Sequence, residues 1–544
     1  MQRALCAVAL LALACLLFRA ARVGMAGDYV DPIGRITAQD EALYAHSAIH
    51  MAREGGWLTP MFMGRYALYK PPLLAWMAGL SVRIGGVSRL ALRFPIALAC
   101  SLAVGLIFLW VAELRSWQAG ACAVLLLVSS HLWHVLGSMC MTDGLLAAFF
   151  IAAMYCLFAD PWLESKTALW CFSGSVAAAV LTKSIAGVLP LATLGLYWLM
   201  APRTHKPAFS RICTAAGLAA LLAAPWFVYQ MLAHGHWFWA EHFGVEILGY
   251  GTGAPPQASA ENHLLFYGMR MALLDPVLTA AALVALPAFA AELRKRSAAA
   301  VLLLCWAAAV LGSVFGWQYR NVAYLLPLLP AMAILAAVYG PFAQMRPSWW
   351  MAMLAGAALL LKTLAPDAPW GISFHRGTVQ AVAPIVSNYC QQARANELIL
   401  VGMDDDLYAS ILPLERLRYA LQGPARAEGP YAMSFAQMGI VVTAAQFDEL
   451  EKWTPVFRQR LREWGLDSDA PIGTLIVAES PGDFAAMVRA HAGSDFLFPD
   501  HLRAAVEAAA AATHVMVEAA PGHFLLLSRE GRRRAGALGW SCGM

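Results

Sequence analysis

Long apolar runs, broken by short polar or basic connections, dominate the first two thirds of the chain. Runs of about 20 apolar residues are what a helix needs to cross a bilayer. Eleven stretches read this way: 4–23, 91–112, 118–138, 143–159, 167–182, 184–201, 211–233, 266–291, 299–316, 321–341 and 349–364. The first also resembles a signal peptide, but its apolar run continues and no small-residue cleavage site follows, so it reads as an uncleaved anchor.

The stretch 71–84, PPLLAWMAGLSVRI, is apolar but too short to span, and it ends in a segment holding Arg83. Its opening Pro71-Pro72 suits the first turn of a helix, where no backbone donor is lost. It therefore predicts an interfacial helix. Leaving it out of the span count sets the parity. With the N-terminus inside, the two most basic short loops, 202–210 and 292–298, fall on the cytoplasmic side. The outer connections 137–142 and 234–265 contain no Lys or Arg. This agrees with the enrichment of cations in cytoplasmic loops. Residues 25–90 then form a long first outer loop, and the C-terminus is also outside.

From about Pro366 the pattern changes. ELILVG (397–402), MGIVVT (438–443), GTLIVAES (473–480) and HFLLLS (523–528) are short apolar runs bounded by turn residues, and they read as strands. Residues 444–464, 481–492 and 501–512 have helical character. This alternation predicts a soluble α/β domain over 366–544, following a membrane domain over 1–365. The fold class expected is a polytopic α-helical membrane protein with a C-terminal α/β domain.

Composition narrows the function classes. The chain has 544 residues, of which 60% are hydrophobic and 13% charged. A soluble chain carries about 25% charged residues. A soluble enzyme is excluded, and a net charge of +4 gives no reason to expect a nucleic-acid partner. Nine of the eleven cysteines fall in apolar stretches and behave as small hydrophobes. Cys390 and Cys542 lie in the polar C-terminal part, where they could pair if it is outside the cytosol. No Cys/His metal spacing is present.

Three unusual features share the outer face on this topology: Asp40-Glu41 with Tyr44-Ala45, Lys70-Pro71-Pro72, and Thr142-Asp143-Gly144. Ionisable groups clustered near a bilayer surface mark functional sites. Their plain alternative is that Asp40 and Asp143 cap helices and Glu41 is a solvated helix residue. Lys183 and Arg320 are the other cations at outer span ends, where snorkelling would also place them. Asp404-Asp405-Asp406 reads as a turn of solvated charge.

The first outer loop resembles that of the GT-C glycosyltransferases, in the branch of the lipid A aminoarabinose transferases and bacterial protein-mannosyltransferase-like enzymes. The elements that carry the resemblance are Asp40-Glu41 with Tyr44-Ala45, Gly56-Trp57 with Pro60, Lys70-Pro71-Pro72-Leu73, and Arg93 with Pro95. MTDGLLAAFF matches the family's T-D-x-x-L segment at Asp143. LTKSIAGVLP, at 181–190, is similar to its K-x-x-x-G-x-x-P segment. APWFVYQMLAHG, at 224–235, is similar to its P-W segment before a large outer loop. The resemblance covers about residues 1–340.

It implies about 11–13 spans and transfer of a sugar from a polyprenyl phosphate, such as undecaprenyl phosphate, outside the cytosolic membrane. The acceptor would be lipid A, another glycolipid or glycan, or a protein hydroxyl. By resemblance Asp40 is the base that takes the acceptor proton, and Glu41 and Asp143 orient Asp40, the acceptor or the sugar. Lys70 leads the candidates for the departing phosphate, followed by Lys183 and Arg320. Arg53 and Arg65 either hold phosphate or face headgroups. The implied location is a bacterial inner membrane, among its lipids, with the site on the periplasmic side.

The sequence departs from its relatives in one respect. Positions that carry His or Arg, or an acidic residue, in part of the family are Ile247, Gly249 and Tyr69 here. Those positions have been associated with a metal, so no metal or other cofactor is expected, and aminoarabinose as the donor sugar is in doubt. His234, His236, His242 and His263 are the remaining candidate ligands, and a polar surface role is the expectation for each. The Gly/Pro-rich loop 234–265 suits a mobile lid, and its Trp237, Phe238 and Trp239 an interfacial belt. The competing class is a membrane transporter or flippase; a non-catalytic anchor for the C-terminal domain is a third.

Overall fold

The computed structural model describes residues 2–22, 39–62, 65–249, 251, 262–340, then 398–400, 441–442, 476–477, 481–490 and most of 492–529. Helix α1 (Gln2–Arg22) is followed by α2 (Gln39–Glu54), a hairpin of β1 (Met61–Phe62) and β2 (Arg65–Tyr66), and α3 (Leu73–Gly85). The bundle continues with α4 (Arg89–Leu114), α5 (Trp117–Val128), α6 (His131–Leu136), α7 (Thr142–Ala159) and α8 (Lys166–Lys183). A 3-10 turn, Ser184–Val188, leads into α9 (Leu189–Met200), and α10 (Phe209–His234) follows. The connection that follows is a single helical turn, α11 (His236–Phe238), and a π-helix, Trp239–Gly249. The last helices of the bundle are α12 (His263–Leu274), α13 (Pro276–Arg294), α14 (Ala298–Gly316), a 3-10 stretch Val322–Leu328, and α15 (Leu329–Tyr339).

Seven helical stretches among the described residues are long and apolar enough to cross a membrane. They are Arg89–Leu114, Thr142–Ala159, Lys166–Met200, Arg203–His234, Pro276–Arg294, Ala298–Gly316 and Val322–Tyr339. The apolar segments Leu5–Ala21 and Trp117–Val128 are helical but shorter. So is Leu73–Gly85, the stretch expected to be interfacial. Its first turn opens on Pro72, and Pro72 O accepts the Trp76 N–H. The expected span 349–364 lies outside the described residues.

Two expected spans are broken. The run 118–138 divides at Ser129-Ser130, and 266–291 divides at Asp275. One contact explains both breaks. Asp275 is buried, and its carboxylate accepts from Ser130 Oγ (2.9 Å) and from the His131 and Leu132 amides at the start of α6. A helix N-terminus presents unsatisfied N–H groups, and a carboxylate answers both their hydrogen bonding and their dipole. Pro276 next to Asp275 biases it away from helical backbone, and Asp275 has φ −130°, ψ 56°.

The core of the bundle is aromatic where α4, α7 and α14 meet. Trp110 stacks on Phe158 at 4.6 Å, and Trp306 stands 5.4 Å from Phe150. All but Phe158 are fully buried. Close helix approach elsewhere depends on small residues: a Cβ on Gly144 would meet the Leu136 carbonyl at 2.6 Å and Ile96 at 3.0 Å. This packs the start of α7 tightly under α6 and α4.

The described part beyond residue 397 contains strands at the four expected places: β3 (Leu398–Leu400), β4 (Val441–Val442), β5 (Ile476–Val477) and β8 (His523–Ser528). Two further strands, β6 (Asp495–Pro499) and β7 (His514–Ala520), complete a four-stranded mixed sheet of order β3-β6-β8-β7. Helices α16 (Pro481–Ala490) and α17 (Arg503–Ala510) fall in two of the three expected helical regions. Phe496, Phe498, Val506, Val488 and Leu526 form its core. The expected helix 444–464, Asp404-Asp405-Asp406, Cys390 and Cys542 lie outside the described residues.

Candidate functional site

Asp40 stands in the first turn of α2; its side chain lies outside the described part of the structure. Its neighbour Glu41 is fully buried. The plain reading of Glu41 as a solvated residue is corrected: both of its oxygens face Arg93. Arg93 Nε lies 2.6 Å from Oε1 and Nη2 lies 2.7 Å from Oε2. The Cys140 amide donates to the same Oε1 at 2.8 Å, and Arg93 Nη1 donates to the Ala20 carbonyl at 2.9 Å. A buried fork of this kind matches guanidinium to carboxylate on both oxygens. It fastens α2 to α4, to the end of α1 and to the connection that leads into α7. A cation inside the apolar run of α4 demands a buried partner, and that was the signal for this pair in the sequence.

Cys140 lies three residues before Asp143, which is in the first turn of α7. Asp143 is buried, and Lys183 Nζ sits 2.6 Å from its Oδ1. The same ammonium lies 4.9 Å from the ring centre of Tyr324. Asp143 in the first turn of a helix and Lys183 in the last turn of one each complement the helix dipole. The chain then turns sharply. Ser184 has φ 47°, a left-handed conformation that costs a non-glycine residue on the order of 1–3 kcal/mol. Three residues later the backbone of Gly187 lies against Ala179 and Val180, leaving no room for a Cβ.

Lys70 forms an ion pair with Glu246 of the π-helix, each side chain about one fifth exposed at 17% and 20%. Two more residues of that helix grip the chain just before Lys70. His242 is fully buried; its Nδ1 donates to the Leu68 carbonyl (3.1 Å), and its Nε2 accepts from Ser184 Oγ (2.9 Å). The Leu68 amide donates to Glu241. Burial, with Lys70 adding repulsion, lowers His242 to about 4, so the imidazole is neutral. Burial likewise pushes Glu241 up to about 8, against the opposing effect of the Leu68 amide. His242 stacks on Phe238 at 4.9 Å.

The expectation of polar surface roles for the outer histidines is therefore corrected for two of them. His234 is also buried, with Nε2 2.9 Å from Thr59 Oγ1. His263 bonds the Trp317 carbonyl at 2.8 Å, and the side chain of His236 lies outside the described part. Phe238, expected in an interfacial belt, is buried beside Leu68 and Trp226, whereas Trp239 is exposed. The Gly56-Trp57 segment is anchored too: the Leu58 carbonyl accepts from Trp226 Nε1 and Gln230 Nε2, both at 2.7 Å.

Arg320 lies 5.7 Å from the ring centre of Phe266, and Arg270 lies 3.6 Å from the same ring. Arg270 is buried within α12, a cation in the middle of an apolar run. Arg53, at the end of α2, is exposed. Arg65 is in β2, and its side chain lies outside the described part. The metal associated with part of the family does not fit these residues. His242 has both ring nitrogens engaged, and Tyr69 stands where an acidic ligand would precede Lys70.

One end of the bundle thus brings together α2, the start of α7, the end of α8, Lys70 and the π-helix. The seven apolar helices, with the superposition that follows, make this a polytopic membrane protein of the GT-C fold. Over 95% of its length the chain superposes, with a TM-score of 0.65 and 15% identity, on 96% of the crystal structure of ArnT from Cupriavidus metallidurans bound to undecaprenyl phosphate. Residues 69–229 match the dolichyl-phosphate-mannose-protein mannosyltransferase family.

Among curated proteins, it is similar to an uncharacterized protein of Aquifex aeolicus, 32% identical over 36% of this chain and 39% of that one. It is also similar to the undecaprenyl phosphate-alpha-4-amino-4-deoxy-L-arabinose arabinosyl transferase of Erwinia tasmaniensis, 24% identical over 62% of each chain. The chain thus spans 39% and 62% of the lengths of these two relatives.

Proposed function

We propose that the protein is an inverting glycosyltransferase that moves a sugar from a polyprenyl phosphate, such as undecaprenyl phosphate, to an acceptor on the outer side of a bacterial inner membrane. The acceptor class is lipid A, another glycolipid or glycan, or a protein hydroxyl. The observation that carries the reading is the chain of contacts from Glu41 through Cys140 to Asp143 and Lys183. It ties the helix of Asp40 to a carboxylate–ammonium pair at one end of a GT-C fold.

In this reading Asp40 accepts the acceptor's hydroxyl proton. The acceptor oxygen forms its bond to the anomeric carbon as the bond from that carbon to the phosphate oxygen breaks. The electron pair leaves with the polyprenyl phosphate, and the configuration inverts in one displacement. Phosphate is a competent leaving group, so the main demand is for a base within about 2.6–3.2 Å of the hydroxyl. Lys70 and Lys183, with Arg320 and Arg53, supply cations for the anion that departs. Asp143 keeps Lys183 in place. Membrane lipids surround the site.

The reading divides the chain into a membrane domain, 1–365, and a periplasmic α/β domain, 366–544. It is tested by incubating the protein in detergent with several polyprenyl-phosphate sugars and a lipid and protein extract. Loss of one donor, followed by mass spectrometry, is expected with the wild type and not with Asp40→Asn. Undiminished turnover by Asp40→Asn would remove Asp40 as the base.

A further inference from the structure

We infer that His242 is a positioning residue: its imidazole is a crossbar between the Leu68 carbonyl and the Ser184 hydroxyl that holds the segments of Lys70 and Lys183 at a set spacing. The inference rests on the glycosyltransferase reading for its consequence, and on geometry for its substance. The two bonds join parts of the chain 174 and 58 residues away from His242. One ends two residues before Lys70. The other ends on the residue directly after Lys183.

The bonding fixes the tautomer. A carbonyl only accepts, so Nδ1 carries the proton, and Nε2 accepts from the Ser184 hydroxyl. A neutral imidazole therefore satisfies both partners with no charge buried. The surroundings are suited to that: Phe238 stacks on the ring, and Trp226, Phe227 and Phe243 present edges within 6.3 Å, 5.7 Å and 5.1 Å. The ring is thus held in plane and orientation, as a spacer must be.

Ser184 supplies a second reason. Its left-handed backbone is the point at which α8 stops and turns, and Lys183 is the last residue before that turn. Strain of this kind persists only where surrounding contacts hold it, and it collects at functional sites. The His242 bond and the close packing of Gly187 are those contacts. The π-helix reinforces the other end, with Glu241 on the Leu68 amide and Glu246 on Lys70. A histidine that merely filled the core would have no reason to bond one neighbour of each cation.

The test compares His242→Ala, Ser184→Ala, the double variant and His242→Asn in the full-length protein. Donor KM and kcat are read for the polyprenyl-phosphate sugar that the wild type consumes. Hydrogen exchange of the peptides around 66–72 and 182–188 is read alongside. Each single alanine variant is expected to raise donor KM roughly tenfold, the loss of a buried hydrogen bond, with kcat changed far less. The double variant should be no worse than His242→Ala, because the two residues act as one unit.

Exchange should quicken in both peptides with His242→Ala. With His242→Asn, which still reaches Leu68 but not Ser184, it should quicken mainly in 182–188. Additive effects, or unchanged exchange in either peptide, would overturn the crossbar. The exchange measurement needs no turnover. A wild type that consumes no donor would sink the glycosyltransferase reading, while exchange still decides the role of His242.

Discussion

Glu41 and Arg93 form a two-pronged buried ion pair, with N···O distances of 2.6 and 2.7 Å and both side chains at most 1% exposed. Removing one partner leaves a charge buried without its counter-ion, a loss of about 3–5 kcal/mol. Glu41→Gln and Arg93→Met should each lower the melting temperature in detergent steeply. Replacing both, as Glu41→Leu with Arg93→Met, should recover much of it, because apolar pairs often substitute for buried ion pairs. Recovery would be incomplete, since the Cys140 amide loses its acceptor. A double variant as unstable as the worse single one would show that the pair is not the unit that matters.

Asp143 and Lys183 should behave as one unit in the reaction. Asp143→Asn weakens the hold on the ammonium, and Lys183→Met leaves a buried carboxylate without its cation. Each should reduce kcat by roughly 100-fold or more, the scale for removing one charge-stabilising group. Residues that act together are strongly non-additive. The double variant is therefore expected within a few-fold of the worse single variant. Losses that multiply would mean that the two side chains serve separate steps.

Lys70 is engaged by Glu246, and a donor phosphate that uses the same ammonium competes with that carboxylate. Glu246→Gln should therefore tighten binding of undecaprenyl phosphate, by roughly 3-fold to 10-fold given a pair that is only partly buried. Lys70→Ala should weaken it. Both effects should shrink at high salt, because partly exposed charges are screened. Isothermal titration in detergent at two salt concentrations reads all of this. Weaker binding by Glu246→Gln would assign Glu246 to holding Lys70 in its binding position.

Much of this was legible in the chain. Spans are fixed by the absence of water in the bilayer core, so runs of apolar residues marked most helices, and the short run at 71–84 was legible as α3. The strands at 398–400 and 523–528 followed from brief apolar runs between turn residues. Partnerships were not legible. Glu41 meets Arg93 across 52 residues, and Asp143 meets Lys183 across 40. No local periodicity encodes such pairs; only the rarity of a cation in an apolar run, as at Arg93 and Arg270, hints that a partner exists. Asp275 hid in the same way, because one acidic residue hardly alters the apolarity of 266–291 although its carboxylate caps the start of α6 and its backbone follows the end of α12. His242 read as a surface residue because its loop is polar and Gly/Pro-rich further on, and the burial comes from Phe238, Trp226 and Leu68 closing over it.

Glu241 gives the π-helical segment a dependence on pH. Its carboxyl is raised from 4.5 to about 8, first by burial, with the Leu68 amide opposing. Between these values the folded protein holds a proton that the unfolded chain has released. Stability therefore falls as pH rises through that window, with the full contribution present only below the unfolded value. Above about pH 8 the carboxylate must be carried ionised in its enclosed position, and the grip of the π-helix on residues 68–70 should loosen. The melting temperature of the wild type should decline from pH 6 to pH 9. Glu241→Gln, neutral throughout, should flatten that decline while still accepting from the Leu68 amide through its side-chain carbonyl. Exchange of the 66–72 peptide should follow the same course, quickening with pH beyond the chemical rate in the wild type and not in Glu241→Gln. Parallel declines in the two proteins would place the pH dependence on another group.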